Sequence, residues 1–406
     1  MYDFAIIWDW LAFAVRWLHV ITGIAWIGSS FYFVALDLGL RKTPDLPAGA
    51  HGEEWQVHGG GFYHIQKYLV APERLPDQLI WFKWESYVTW LSGFAMLCIV
   101  YYAGANLYLV DRAVLDVSAP AAILISMASL SVGWLIYDNL CKSRLAESPT
   151  TLMILLFGVL VVMAWMYTNL FTGRAALLHL GAFTATIMTA NVFFVIMPNQ
   201  RIVVADLKAG REPDAKYGKI AKLRSTHNNY LTLPVLFLML SNHYPLAFAT
   251  EYNWIIACLV FLMGVLIRHY FNTTHAHKGN PTWTWLATAV IFVIIMWLSS
   301  SPRSERPELA MSPLDEKFAS AENFDQVADT VLTRCSMCHA PEPGWEGIHI
   351  APKSVMLDTP QRVAQHAREI YLQAGVSHAM PPANITEIQP EERKLIIDWY
   401  RDATAG

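Results

Sequence analysis

The chain has 406 residues, of which 54% are hydrophobic and only 15% charged, with a mean hydropathy of +0.31. Soluble globular proteins carry roughly 25% charged residues, so this composition points away from an ordinary soluble enzyme and towards a membrane protein. A formal net charge of −4 argues against a nucleic-acid partner, and the five cysteines show no disulfide framework.

Runs of roughly 20 apolar residues can cross about 30 Å of hydrocarbon as helix. Eight are predicted, near 8–36, 85–105, 119–139, 151–171, 175–198, 226–248, 252–273 and 281–300. The first is preceded by Asp3 and no Lys or Arg, and no small-residue cleavage site follows it, so it reads as a retained helix and not a signal peptide. Between the first two runs lies "HGGGFYHIQKY" (58–68), where His58 and His64 flank three glycines. A backbone that approaches a ligand, a metal site lacking its carboxylate or thiol, and an ordinary turn are all open readings of this loop. After residue 300, Ser, Pro, Glu and Arg dominate, which predicts a linker over 304–323 between a membrane domain, 1–303, and a small soluble unit, 324–406.

The loops on one side of the predicted bundle hold sixteen Lys and Arg, while those on the other hold Arg112 and Arg174. The positive-inside rule makes the first side cytoplasmic and sets both termini outside, which in a bacterium is the periplasm.

"CSMCH", 335–339, carries the strongest chemical signal. Thiols at i and i+3 form thioether links to a haem, and the following histidine ligates its iron. Cys335 and Cys338 are the predicted attachment sites for one covalent haem c, and His339 is the first axial ligand. Met380 in "AMPP" is the predicted second ligand, with Met356, His349 and His378 as rivals. This stretch resembles a class I cytochrome c. Cys98, Cys141 and Cys258 read as small apolar core residues.

Ionisable and amide side chains inside the predicted helices are costly in lipid, so each is a functional candidate. "STHNNYLTLP" places His227, Asn228, Asn229 and Tyr230 in consecutive positions, which covers every face of a helix. Arg268 and His269 close the seventh run. Arg16, His19 and His179 form a second candidate set, for substrate or for a non-covalent b-type haem.

"RWLHVITGIAWIGSSFYF", "HGGGFYHIQKY", "WFKWESYVTWLSG", "STHNNYLTLPVLFLMLSNHYP" and the CSMCH unit together resemble the bacterial membrane-bound urate oxidase (urate hydroxylase) family with a fused C-terminal cytochrome c domain. The resemblance implies an all-α fold, in which a polytopic membrane helix bundle of about eight transmembrane helices precedes a class I cytochrome c-like domain. It implies oxidation of urate to 5-hydroxyisourate in purine degradation. Electrons would pass through the haem to a respiratory-chain acceptor, such as a soluble cytochrome c or a terminal oxidase, and not to oxygen as peroxide. The expected setting is a bacterial inner membrane. Urate is a planar anion, and a cation, amides and an imidazole suit it, so His227, Asn228, Asn229, Tyr230, Arg268 and His269 are the expected catalytic group. The residues alone are equally compatible with a quinol:cytochrome c oxidoreductase.

Overall fold

The protein was analysed as a computed structural model, which describes residues 4–69, 75–111, 114–300, 311–346, 348 and 351–405. All eight apolar runs are helical. They correspond to α1 (Phe4–Gly39), α2 (Trp84–Met96), α3 (Ala119–Lys142), α4 (Pro149–Thr168), α5 (Gly173–Ala190) with its continuation α6 (Met197–Lys208), α7 (Ala215–Ser241), α8 (Asn253–His275) and α9 (Trp283–Ser299). Side-chain oxygens fix several starts by accepting orphan backbone N–H groups. Thr172 accepts from the amide of Ala175 at 3.1 Å, and Asp214 from that of Lys216 at 2.8 Å.

Among the described residues, five stretches are long and apolar enough to cross a membrane: Ile6–Gly39, Ala119–Lys142, Pro149–Thr168, Gly173–Lys208 and Asn253–His275. The expected count of eight is therefore met at five. α2 and α7 fall short because they turn polar residues inward: Ser86, Thr89 and Ser92 of α2, and Arg224, His227, Asn228 and Asn229 of α7, are buried. α9 has only 17 residues. α5 is the central element, with Leu177, Leu180, Phe183 and Ile187 at most 1% exposed. α1 lies outermost and presents Trp10, Phe13, Trp17 and Ile24 outward.

Two helices of the bundle widen into π turns. α2 continues through Leu97–Tyr102, and α5 joins α6 through Asn191–Ile196. Such turns alter which residues a helix presents to its neighbours and occur often at functional sites.

The "HGGGFYHIQKY" segment departs from the all-helical expectation. It is the second half of an antiparallel hairpin, Ala50–His58 paired with Gly61–Tyr68. Gly59 and Gly60 both take positive φ, the conformation a two-residue hairpin turn requires. His64 bonds Glu53 Oε2 at 2.7 Å and stacks on Trp55, while His58 sits beside the turn. Among the described residues no group of three or more His, Cys, Asp or Glu could hold a metal ion.

The C-terminal unit begins earlier than residue 324. α10 (Pro313–Ala319) opens with a capping box from Ser312 and Asp315, and Phe318 joins the unit's core. Val327 and Val331 of α11 (Phe324–Cys335) pack with Ile396 and Trp399 of α12 (Pro390–Ala405). The indole Nε1 of Trp399 donates to the Phe318 carbonyl at 3.0 Å, which ties α10 into this core. The predicted linker residues 304–310 and the rival ligand His349 lie outside the described residues. The unit sits on the bundle end that holds Tyr108 and Arg174, whereas Lys208 marks the opposite end of the helical stretch Gly173–Lys208.

Candidate functional site

Polar side chains gather at two ends of the bundle, which will be called inner and outer. His227 and Asn242 on the α7 side of each are fifteen residues apart, about 22 Å at 1.5 Å per helical residue.

At the inner end, α3, α7 and the π turn after α5 build a closed hydrogen-bond network. Arg224 is 2% exposed and donates from Nη2 to Asp138 Oδ1 at 2.6 Å and from Nη1 to Asn191 Oδ1 at 3.2 Å. Asn191 Nδ2 donates to the Tyr137 oxygen and to Asn228 Oδ1, both at 2.9 Å. Asn228 Nδ2 donates onward to the Met188 carbonyl at 2.9 Å. The Tyr137 oxygen, receiving from Asn191, is also hydrogen-bonded with His227 Nδ1 at 2.8 Å. His227 Nε2 and Asn229 Oδ1 are buried without a hydrogen-bond partner among the described residues.

The other expected members of this group are not in the network. Arg268 donates to Asn272 Oδ1 at 3.1 Å and lies over the Phe31 ring at 4.3 Å, with Tyr230 nearby. His269 is exposed, and its ring centroid is 6.5 Å from that of Trp283.

The outer end holds a cavity of about 90 Å³ lined by Arg16, His19, Trp90, Tyr101, Arg174 and Asn242 among others. At about 15 Å³ of such space per water, that is room for roughly six waters. The scale is that of a small heterocycle and well short of a tetrapyrrole. A larger hollow, about 440 Å³, is an open, mostly apolar depression along α3 lined by Val132, Ile136 and Asn139 among others.

Each polar wall of the outer cavity is positioned by a specific contact. His19 Nδ1 lies 2.9 Å from the Thr89 carbonyl. A carbonyl only accepts, so Nδ1 carries the proton and Nε2 carries the lone pair. Gly93 makes this possible, because a Cβ there would meet the His19 ring at 2.9 Å. Trp90 is held by its Nε1 bond to Thr186 Oγ1 at 3.0 Å. The Thr172 cap donates its hydroxyl to the Tyr108 carbonyl at 2.8 Å, fixing the start of α5 and hence Arg174. Arg174 reaches Asn242 Oδ1 only at 3.4 Å, and its Nε and the Tyr101 hydroxyl are buried without hydrogen-bond partners among the described residues.

His179 lies deeper and is fully buried. Its Nδ1 donates to the Ala175 carbonyl at 2.7 Å, and its Nε2 meets Ser126 Oγ at 2.8 Å. His179 has both nitrogens engaged, and the space beside His19 is only about 90 Å³, so the two histidines do not fit a b-type haem in this arrangement.

The CSMCH turn does fit a covalent haem. Cys335, the last residue of α11, and Cys338 are both free thiols. His339 Nδ1 donates to the Val355 carbonyl at 2.8 Å, which orients the ring and leaves Nε2 for a metal. Burial holds the His339 imidazole below its ordinary pKa, in keeping with a neutral ligand. Met380 follows the turn Tyr371–Val376, its backbone held by Gln373 at 2.9 Å and Arg393 at 3.0 Å.

Several of these residues were not singled out by sequence. Arg224 counts as a loop charge there, although its i,i+3 spacing to His227 puts both on one helix face. Arg174, Tyr101, Tyr108 and Asn242 carry no local signal beyond polarity near a helix end.

Helices of transmembrane length with guanidinium, imidazole and amide groups enclosed between them define a multi-helix bundle of membrane type built around internal polar sites. The chain belongs to the urate oxidase N-terminal family, whose model matches residues 5–299. That membership indicates a urate-related function of the oxidoreductase class. No curated protein and no solved structure matches the chain.

Proposed function

We propose that this chain oxidises urate to 5-hydroxyisourate inside the bundle and passes the electrons to a haem c carried by its own C-terminal unit. The carrying observation is the position of the outer cavity. It lies against Tyr101, whose ring is 6.4 Å from that of Tyr108, and Tyr108 bonds Glu369 of the CSMCH-bearing unit. A substrate site and an electron acceptor are thus set side by side, with no need to cross the bundle.

Urate and water yield 5-hydroxyisourate, two electrons and two protons. Arg16 and Arg174 balance the charge of the urate anion, and Arg174 brings an unsatisfied donor to it. Asn242 supplies both a donor and an acceptor to the amide-like edge. His19, with its lone pair on Nε2, is the base that takes a proton from urate or from the attacking water. Cys335, Cys338, His339 and Met380 would hold a covalent haem c, which would supply one-electron acceptance. The setting is a bacterial inner membrane with the C-terminal unit in the periplasm, and the final acceptor is a respiratory-chain component.

A second reading keeps urate at the inner end. The unpartnered Nε2 of His227 and Oδ1 of Asn229 favour it, and Tyr230, Arg268 and His269 would then complete the surroundings.

Anaerobic urate added to the purified protein should produce the spectrum of reduced c-haem. Reduction by a quinol and not by urate would replace this reading with a quinol:cytochrome c oxidoreductase.

A further inference from the structure

Among the described contacts between the two parts of the chain, one is chemically distinctive. The Tyr108 hydroxyl donates to Glu369 Oε1 across the boundary. Arg174, from the wall of the outer cavity, places its guanidinium 5.7 Å from the Tyr108 ring centre. On the far side of the carboxylate, Glu369 Oε2 and His366 Nδ1 lie 4.0 Å apart, both buried and neither hydrogen-bonded among the described residues. A continuous series therefore runs from Arg174 to Tyr108, Glu369 and His366, the last two belonging to the CSMCH-bearing unit. A second polar contact among the described residues, Arg368 Nη2 with Asp9 Oδ1 at 3.3 Å, joins side chains that are 36% and 45% exposed. Exposed pairs of this kind contribute little to association.

We infer that Tyr108 and Glu369 form a docking pin that seats the C-terminal unit over the outer cavity, and that this seat sets the rate at which electrons leave the cavity. The rate part rests on the proposed haem c reading; the seat does not. Electron transfer slows steeply with distance, so a specific bond that holds the unit close to the cavity bears directly on its rate. Tyr108 and Glu369 act as positioning residues: neither touches the substrate.

The test uses the full chain with a specific protease site placed within 301–310. After cleavage in detergent, the two fragments of the otherwise unaltered protein should co-elute, and those of Glu369→Ala should separate. Glu369→Gln retains the acceptor oxygen and should restore co-elution, whereas Tyr108→Phe should weaken it. In the uncleaved chain, Glu369→Ala should slow haem reduction by urate about tenfold, the effect of losing one charge-assisted hydrogen bond. KM for urate, the haem midpoint potential and reduction by dithionite should not move. Asp9→Ala should show less of each effect. Fragments of the unaltered protein that separate on cleavage would overturn the seat. An unchanged rate in Glu369→Ala would overturn its link to electron exit. A chain that carries no covalent haem would defeat the proposed function, while the co-elution result would still decide whether the seat exists.

Discussion

The inner and outer polar groups use similar residue types and differ in how their charge is held. At the inner end, Arg224 has a carboxylate partner in Asp138, and Asn191, Asn228 and Tyr137 are hydrogen-bonded to one another, although Arg224 Nε, His227 Nε2 and Asn229 Oδ1 stay without partners among the described residues. At the outer end, Arg174 has a 3.4 Å contact to an amide oxygen and lines a cavity of about 90 Å³. A paired guanidinium stabilises and orients helices, whereas one without a carboxylate beside open space is arranged to receive a ligand. The comparison teaches that burial of polar groups, and even a few unmet hydrogen bonds, do not alone mark a binding site. What distinguishes the two is whether the cation has its counter-charge and whether space adjoins it.

Substitutions can break or sharpen this contrast. The largest effect on function is expected from Arg174→Ala, which should lower kcat/KM for urate about a hundredfold, or roughly 2–3 kcal/mol, with the thermal transition little changed. If His227→Ala had that effect and Arg174→Ala did not, urate would belong at the inner end. The largest effect on stability is expected from Asp138→Ala. It strands the buried Arg224 charge and should cost about 3–5 kcal/mol in an unfolding titration, with the folded fraction still reducing its haem with urate. Tyr137→Phe removes the hydroxyl that links Asn191 to His227 and should cost about 1–3 kcal/mol by the same measurement. Gly93→Ala should act more gently and on the other side of the comparison. Its methyl group would press on the His19 ring, raising KM for urate several-fold, on the order of 1 kcal/mol, while leaving stability nearly unchanged.

The sequence made the helical runs visible because apolar length is a local property, and every predicted run is a helix. It also exposed CSMCH, a motif five residues long, and the polar cluster on α7. It could not show the pairings. Arg224 and Asp138 are 86 positions apart, and Tyr108 and Glu369 are 261 apart, so only the folded arrangement brings them together. The hairpin's turn chemistry is present in the sequence as Gly59 and Gly60, but "AHGEEWQVH" and "GFYHIQKY" do not alternate cleanly between apolar and polar residues, so the strands carry no clear period. The early start of the C-terminal unit was missed for a similar reason. "SPLDEKFA" is rich in loop-forming residues, but Ser312 and Asp315 are spaced as a helix cap. Within the outer cavity, Arg16 and His19 were legible as charges inside an apolar helix, whereas Asn242 lies just past the end of one and looks like any loop amide.

The π turn at Asn191–Ile196 has a consequence for how the chain tolerates length change. The stretch Gly173–Lys208 is continuous along its axis, yet it keeps two angular phases, because the wider turn adds a residue to the count between Arg174 and Lys208. Removing one residue there converts the wide turn to regular winding, so Arg174, His179 and Met197–Lys208 keep the faces they now present, whereas a deletion in the regular winding on either side turns everything beyond it by about 100°. For helix phase, a single-codon deletion within Asn191–Ile196 is therefore a lighter lesion than one elsewhere in the stretch.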